Sequence, residues 1–240
     1  STMEPPLLEG LRDSPVRFAG HIGFFSQHSV EDVFSQGDSV ALLGRSDELW
    51  AYTVSDDSAE LARLFERLVR KEGVRAFALL EEWMLPLLRP LGEATSELTC
   101  VRYYYPPDRP LPARPEGIVT EPLTLDDVDI VCAESDYREY ISPEYIAAAI
   151  TDGYSAGIRE NGRLVAWGAT HDDLAIGNLH VLPQSRRRGY AAAIVSDLVD
   201  ALMTEGFLPV MNIEPDNTGS RALAEKLGFL SDRAVTWIIM

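Results

Sequence analysis

One run of thirteen residues limits this chain more than any other: Leu179-His180-Val181-Leu182-Pro183-Gln184-Ser185-Arg186-Arg187-Arg188-Gly189-Tyr190-Ala191. A strand-like run stops at Pro183. Three arginines and a glycine follow, and then a small, apolar helix start. A strand that delivers the chain to a turn, and a turn that opens a helix, leaves N–H groups without carbonyl partners and adds the positive end of the helix dipole. The pattern demands an α/β arrangement. It also names a ligand class, phosphate or pyrophosphate.

The remaining composition narrows the setting. At 240 residues the chain is long enough for one large domain or two small ones, and 46% hydrophobic residues supply a core. No apolar run approaches the roughly 18 residues of a membrane span, and the N-terminus carries no secretory pattern. Ser1-Thr2 precede Met3 and are excluded from fold reasoning as an expression scar. Cys100 and Cys132 have no metal-ligand spacing and read as reduced core thiols of a cytoplasmic protein. His21, His28, His171 and His180 form no H-x-x-x-H pattern, so no metal is expected. The net charge of −17 argues against nucleic acid as a partner. It fits a cationic acceptor such as an amine, or simple solubility. Against it, Arg186–Arg188 is a local positive spot.

Prolines divide the chain. Tyr105–Gly117 holds five of them, at 106, 107, 110, 112 and 115, and such a segment favours extended structure. We therefore expect an N-terminal domain over 1–105, a linker over 106–117 and a second domain over 118–240. In the second domain, strands are expected at Ile118–Pro122, Tyr154–Arg159, Arg163–Thr170, Ala175–Leu182, Leu208–Glu214 and Ala234–Met240. Asn161-Gly162 is a hairpin signal between two of them. Helices are expected at Leu125–Tyr137 behind Thr124, from Ser142-Pro143 to Thr151, at Gly189–Gly206, and from Asn217 or Thr218 to Leu227. The first domain echoes this order: strands at Ser39–Leu43, Leu49–Val54, Val74–Leu80 and Leu98–Tyr105, with helices at Ser58–Glu72 and Trp83–Leu91. Helix, glycine, strand, short helix, Leu-Gly and strand occur twice, and Leu91-Gly92 matches Leu227-Gly228. Two related units account for this; convergence on a common α/β order is the alternative.

Two segments carry chemistry. In Arg186-x-x-Gly189-x-Ala191, consecutive N–H groups point at one anion, so side chains at the closest approach must be absent or small. Arg186, Arg187 and Arg188 reach phosphate oxygens from the rim. The second segment, Asn217-Thr218-Gly219-Ser220 through Leu227-Gly228-Phe229, is by itself a capped amphipathic helix with a glycine stop. At this separation and order the two resemble the GNAT superfamily of CoA-dependent N-acyltransferases, over Ile118–Met240 and best over Ile176–Phe229. The cradle and the preceding degenerate half are similar to the glycine N-acyltransferase-like branch.

The resemblance implies an α/β fold: a GNAT-like mixed sheet flanked by helices in the C-terminal unit, preceded by a degenerate GNAT-like unit. It implies acetyl-CoA, or another acyl-CoA, as acyl donor. The main chain of Leu179 and Val181 would pair with the pantetheine arm. N–H groups from Arg186 through Arg187, Arg188, Gly189 and Tyr190 to Ala191 would hold the pyrophosphate. Asn217 and Ser220 would face the donor from the other side. The strands at Ala175–Leu182 and Leu208–Glu214 would run parallel and splay to form the acyl slot. An amine would attack the thioester directly, with an N–H near Leu179 or Val181 stabilising the oxyanion.

Departures accompany the likeness. Many GNAT enzymes place a tyrosine acid where this chain has Ala224, and a glutamate base where it has Ala175 or Asn212. An acceptor ammonium must still lose a proton. Glu214 shares a strand face with Asn212 and is the first choice as base through water. Asp173, His180, Tyr145 and Tyr154 are weaker replacements, and His180 has the opposite parity to Leu179 and Val181. Asp172-Asp173 reads as a solvated turn. Trp167 and Trp237 belong to the core or to the acceptor pocket. The expected function is transfer of a short acyl group to a small-molecule or peptide amine. The alternatives are a non-catalytic acyl-CoA-binding sensor and an interaction scaffold. No motif specifies acyl length, acceptor or oligomeric state.

Overall fold

The structure is a computed structural model, and it describes residues 5–136 and 141–240. Tyr137, expected to end a helix, lies outside the described residues, as do Ser1 and Thr2. In chain order the elements are α1 (Pro5–Arg12), α2 (Pro15–Gln27), β1 (Asp32–Gln36), β2 (Ser39–Arg45), β3 (Leu49–Val54), α3 (Ser58–Arg70) and β4 (Ala76–Leu80). A broken helical stretch centred on α4 (Leu85–Leu88) leads to β5 (Ser96–Tyr104). Then follow α5 (Val128–Glu134), α6 (Pro143–Asp152), β6 (Ser155–Glu160), β7 (Arg163–Thr170), β8 (Ile176–Val181), α7 (Tyr190–Thr204), β9 (Val210–Ile213), α8 (Thr218–Leu227) and β10 (Leu230–Ile239).

Local chemistry explains most of these. Asp57 accepts the Glu60 N–H at the start of α3, whose buried stripe is Leu61, Leu64, Phe65 and Leu68. Ser142 caps α6 ahead of Pro143, and Asn217 caps α8 by accepting the Ser220 N–H at 3.2 Å. Asn161 and Gly162 both take positive φ, as the two-residue turn between β6 and β7 requires. Of the expected strands, Ile118–Pro122 is corrected: it contributes only an isolated bridge, Glu121 to Gly157. Patterning also gives no sign of α2. Phe18, Gly20, His21, Ile22, Gly23, Phe24 and Phe25 are all buried, so the helix shows no polar face to mark its period.

Among the described residues the strands form two sheets. One has the order β1-β2-β3-β4-β10-β5-β9, the other β6-β7-β8. Only β3 and β4 pair in parallel. Read with the repeated order in the sequence, β4 corresponds to β9 and β5 to β10. In the large sheet each half's last strand lies between the last two strands of the other half. The proline-rich segment thus separates two lengths of chain but not two sheets. That segment is strapped down, with Arg109 donating to Gly228 O at 2.6 Å and Arg114 paired with Asp197 on α7.

The two halves differ where it matters for a ligand. β3 and β4 are hydrogen-bonded through Trp50↔Ala76, Ala51↔Phe77 and Tyr52↔Ala78. Their counterparts β8 and β9 end different sheets and do not pair. One half is closed at this position and the other is open.

The buried side of α2 has a consequence for acid stability. His21 is 3% exposed; its Nε2 lies 2.8 Å from Thr53 O, and its Nδ1 has no partner among the described residues. Burial pushes its pKa down to about 4. The unfolded chain takes up this proton near 6.5, so the unfolded state gains protons first as pH falls and stability is lost between about 6.5 and 4. The loss over that window is on the order of 3 kcal/mol. Urea unfolding at pH 7 and pH 5 should show this slope in the wild type and a flatter one in His21→Gln. Equal slopes would refute the assignment.

Candidate functional site

The gap between β8 and β9 is a cavity of about 160 Å³. Leu179 lines it from β8; Asn212, Glu214, Asn217 and Ser220 line it from β9 and the start of α8; Leu98 and Cys100 line it from β5. Four of the residues singled out from sequence, Leu179, Glu214, Asn217 and Ser220, therefore meet in one place. β5 comes from the N-terminal half, so strand exchange makes both halves part of the wall.

β8 is irregular here. Trp167 pairs with His180 and Ala169 with Gly177, which leaves one residue of β7 opposite Asn178 and Leu179. Asn178 takes φ +49, the mark of a bulge. The bulge turns the backbone of β8 out of regular pairing at the cavity. Beyond it, the Val181 carbonyl accepts from Arg186 Nε at 3.1 Å, so this edge position is covered by the cradle's own arginine.

The cradle has the expected backbone and a different side-chain arrangement. Arg187 (φ +64) and Gly189 (φ +81) are both left-handed, and Gly189 precedes α7 directly. Ala193 N–H, bonded to Gly189 O at 3.1 Å, is the first to find an intrahelical carbonyl. The N–H groups of Tyr190 and Ala191 precede it and have no carbonyl one turn back. Arg188 does not project freely: it pairs with Glu160 at the end of β6 at 2.5 Å, and Tyr190 Oη donates to the same carboxylate at 2.7 Å. A Cβ on Gly189 would lie 2.6 Å from Pro115 Cγ. The glycine is thus also required by φ and by the strap, and Gly189→Glu would not isolate an anion site.

Ala224 is wholly buried in the helix core, and Ala175 is 1% exposed. Asn212 faces the cavity and accepts from Arg102 Nε at 3.3 Å. The weaker candidates separate. His180 is buried against Trp167, with its Nδ1 3.4 Å from Asp136. Trp167 is core, whereas Trp237 lines an adjoining cavity. Tyr154 packs against the core cluster.

Sequence reasoning named Tyr145 and Asp173 as weaker candidates but missed His171, which gathers them into a cluster beside the slot. A second cavity of about 220 Å³ runs from Leu98 and Cys100 to Trp50, Trp237, Asp47 and Asp172. A third, of about 380 Å³, opens past Ser46 and Glu144. His171 lines all three. Tyr145 Oη lies 2.9 Å from His171 Nδ1 and accepts the Asp172 N–H at 3.3 Å. Ser46 Oγ donates to Asp172 at 2.6 Å. Asp172-Asp173 is a turn, but not a solvated one: Asp173 is 3% exposed and accepts the Ala175 N–H. Burial, and then Asp173, push the Asp172 carboxyl up to about 8. Burial pushes His171 down, against Asp173 and Asp47. The missed signal was His171-Asp172-Asp173 one residue past β7; the packing of α2 against Asp173 and of the β2–β3 turn against Asp172 takes it out of the open surface.

Cys100 is the cavity's thiol. Burial, followed by the Glu214 charge, pushes it up to about 12. It is held protonated and is a poor nucleophile.

Comparison with known proteins agrees with this geometry. Residues 155–238 match the FR47-like protein family. No curated protein matches the sequence. A structure of a Drosophila protein superposes with TM-score 0.77 at 17% identity, covering 100% of this chain and 97% of its own. A GCN5-related N-acetyltransferase from Kribbella flavida gives 0.61 at 17%, covering 93% and 94%. A GNAT-family acetyltransferase from Colwellia psychrerythraea gives 0.54 at 14%, covering 100% and 98%. At these identities the likeness establishes the fold: a mixed α/β GNAT fold running through the whole chain.

Proposed function

We propose that the protein is an N-acyltransferase that moves an acetyl or other short acyl group from acyl-CoA to a primary amine. The observation that carries this reading is the open gap between β8 and β9, with Leu179, Glu214, Asn217 and Ser220 on its walls. The donor supplies an activated thioester. The irregular edge of β8 and the free N–H groups before Ala193 suit its pantetheine and pyrophosphate, and Arg187 remains exposed at the rim. The protonated Cys100 favours direct attack by the amine over a covalent acyl-enzyme. The net charge of −17 supports a small amine or a basic peptide over nucleic acid or an acidic membrane surface. Two unpaired cysteines support a cytoplasmic enzyme.

Glu214, beside Asn217 and Ser220 on the donor side, relays through water the proton that nitrogen sheds as the C–N bond forms. Glu214→Gln should lower turnover by about tenfold or more while leaving CoA affinity unchanged; unchanged turnover removes Glu214 from the mechanism. The reading as a whole is tested by calorimetric titration with CoA, acetyl-CoA and hexanoyl-CoA, followed by an amine screen that detects released thiol. Binding without turnover on any amine would favour an acyl-CoA sensor. No binding by folded protein would end the reading.

A further inference from the structure

We propose that His171 is the catalytic base that takes the first proton from the acceptor's ammonium group, with Tyr145 as its positioning residue. This rests on the acyl-transfer reading of the slot. It accounts for a proton that no carboxylate at the usual family positions can accept, since those positions hold Ala175 and Asn212.

Position carries the argument. His171 stands where the slot between β8 and β9 meets the two acidic cavities on its far side. The cavity lined by Asp47 and Asp172 shares His171 with the slot, together with Leu98, Cys100 and Asn212. Glycine at 177 makes room for that ring: a Cβ there would sit 2.1 Å from His171 Nε2. The other ring nitrogen is fixed by Tyr145 Oη at 2.9 Å. With the neutral ring's proton on Nδ1 and donated to Tyr145 Oη, Nε2 holds a free electron pair toward the slot. Burial keeps the imidazole neutral at neutral pH. The groups facing it are Asp172 and Asp173 from its own turn, Asp47 from the β2–β3 turn and Tyr145 from α6. Of these, Asp173 and Asp47 favour the imidazolium once it forms.

The step balances. An ammonium N–H bond breaks, its electron pair stays on nitrogen, and Nε2 gains the proton. The free amine attacks the thioester carbonyl carbon; the C–N bond forms and the C–S bond breaks, with sulfur taking the electron pair. Nitrogen's second proton passes by way of Glu214 and water to that sulfur. The imidazolium returns its proton to solvent through the Ser46–Asp47 cavity.

The test compares two amines of similar size, ethylamine and 2,2,2-trifluoroethylamine, whose ammonium is far more acidic. A base matters only while the acceptor arrives protonated. His171→Gln should therefore lower kcat/KM for ethylamine by about a hundredfold and for trifluoroethylamine by much less. Its remaining activity on ethylamine should rise with pH along the amine's own titration. Tyr145→Phe should show the same order of losses, smaller in size, and it carries the comparison alone if His171→Gln does not fold. CoA titration and thermal melting are run on each variant. Equal losses on both amines, or none, in folded and CoA-binding variants would overturn the role of His171 and leave acyl transfer standing. Wild-type protein that consumes acetyl-CoA with neither amine would overturn both.

Discussion

Cut after Tyr105, the chain should give two pieces that fail to fold apart and recover the native protein together. Strand β5 is hydrogen-bonded to β10 along eight residue pairs, from Leu230↔Tyr104 to Ile239↔Ser96, and to β9 along four. Without it, residues 106–240 expose both β9 and β10 as bare edges. The buried faces of Val235 and Ile238 also lose the strand beside them. In the other piece β4 and β5 lose the strand between them, and Cys100 and Tyr103 lose their cover. Each such side chain contributes roughly 1.5–3 kcal/mol when buried. A few of them exceed most of the roughly 5–15 kcal/mol that holds a domain folded. Expressed alone, each piece should be insoluble or lack a cooperative transition. Co-expressed, they should co-purify and melt as one. A monomeric 106–240 that unfolds cooperatively and binds CoA as tightly as the full chain would contradict the strand exchange.

Arg102→Met should destabilise the protein by about 3 kcal/mol, the cost typical of removing one partner from a buried charged set. Arg102 lies in β5 opposite Asn212 and is fully buried. It donates to Asn212 Oδ1, to Val16 O at 3.2 Å and to Arg17 O at 3.1 Å, tying α2 to the slot wall. Burial lowers its pKa, and Asp173 is the largest influence holding it up. Both groups approach Gly20, where a Cβ would lie 3.3 Å from Arg102 Nη2 and 3.5 Å from Asp173 Oδ2. Methionine fills the volume but removes the hydrogen bonds to Asn212, Val16 and Arg17 and leaves the Asp173 carboxylate without a buried counter-charge. Asp173→Asn in the Arg102→Met background should then cost less than Asp173→Asn alone. Urea unfolding of the four proteins in this cycle measures it; strictly additive changes would show that the two residues act independently.

Much of the C-terminal half was legible because its signals are local. Ser142-Pro143, Asn161-Gly162, Asn217 and Gly228 act on their own turns, whatever surrounds them. The cradle was legible for the same reason, since left-handed turns at Arg187 and Gly189 and the start of α7 lie within a few residues of one another. The side chains of that segment were not. Whether Arg188 meets a phosphate or Glu160 depends on a hairpin 28 residues earlier in the chain.

By itself the sequence determined most of the elements from Ser39 onward, the left-handed turn that opens α7 and the repeated order of the two halves, because caps, turns and hydrophobic period are short-range. Tertiary structure alone decided three things: that β5 and β10 exchange places, that β3 joins β4 while β8 stands apart from β9, and that Asp173 is buried under α2 with His171 and Asp172 beside it on the cavity walls. Each depends on which surfaces meet across long stretches of chain. Gly23 shows the reason in one residue: a Cβ there would lie 2.0 Å from Asp173 O, so the absence of one methyl group on α2 lets the helix close over a turn 150 residues away.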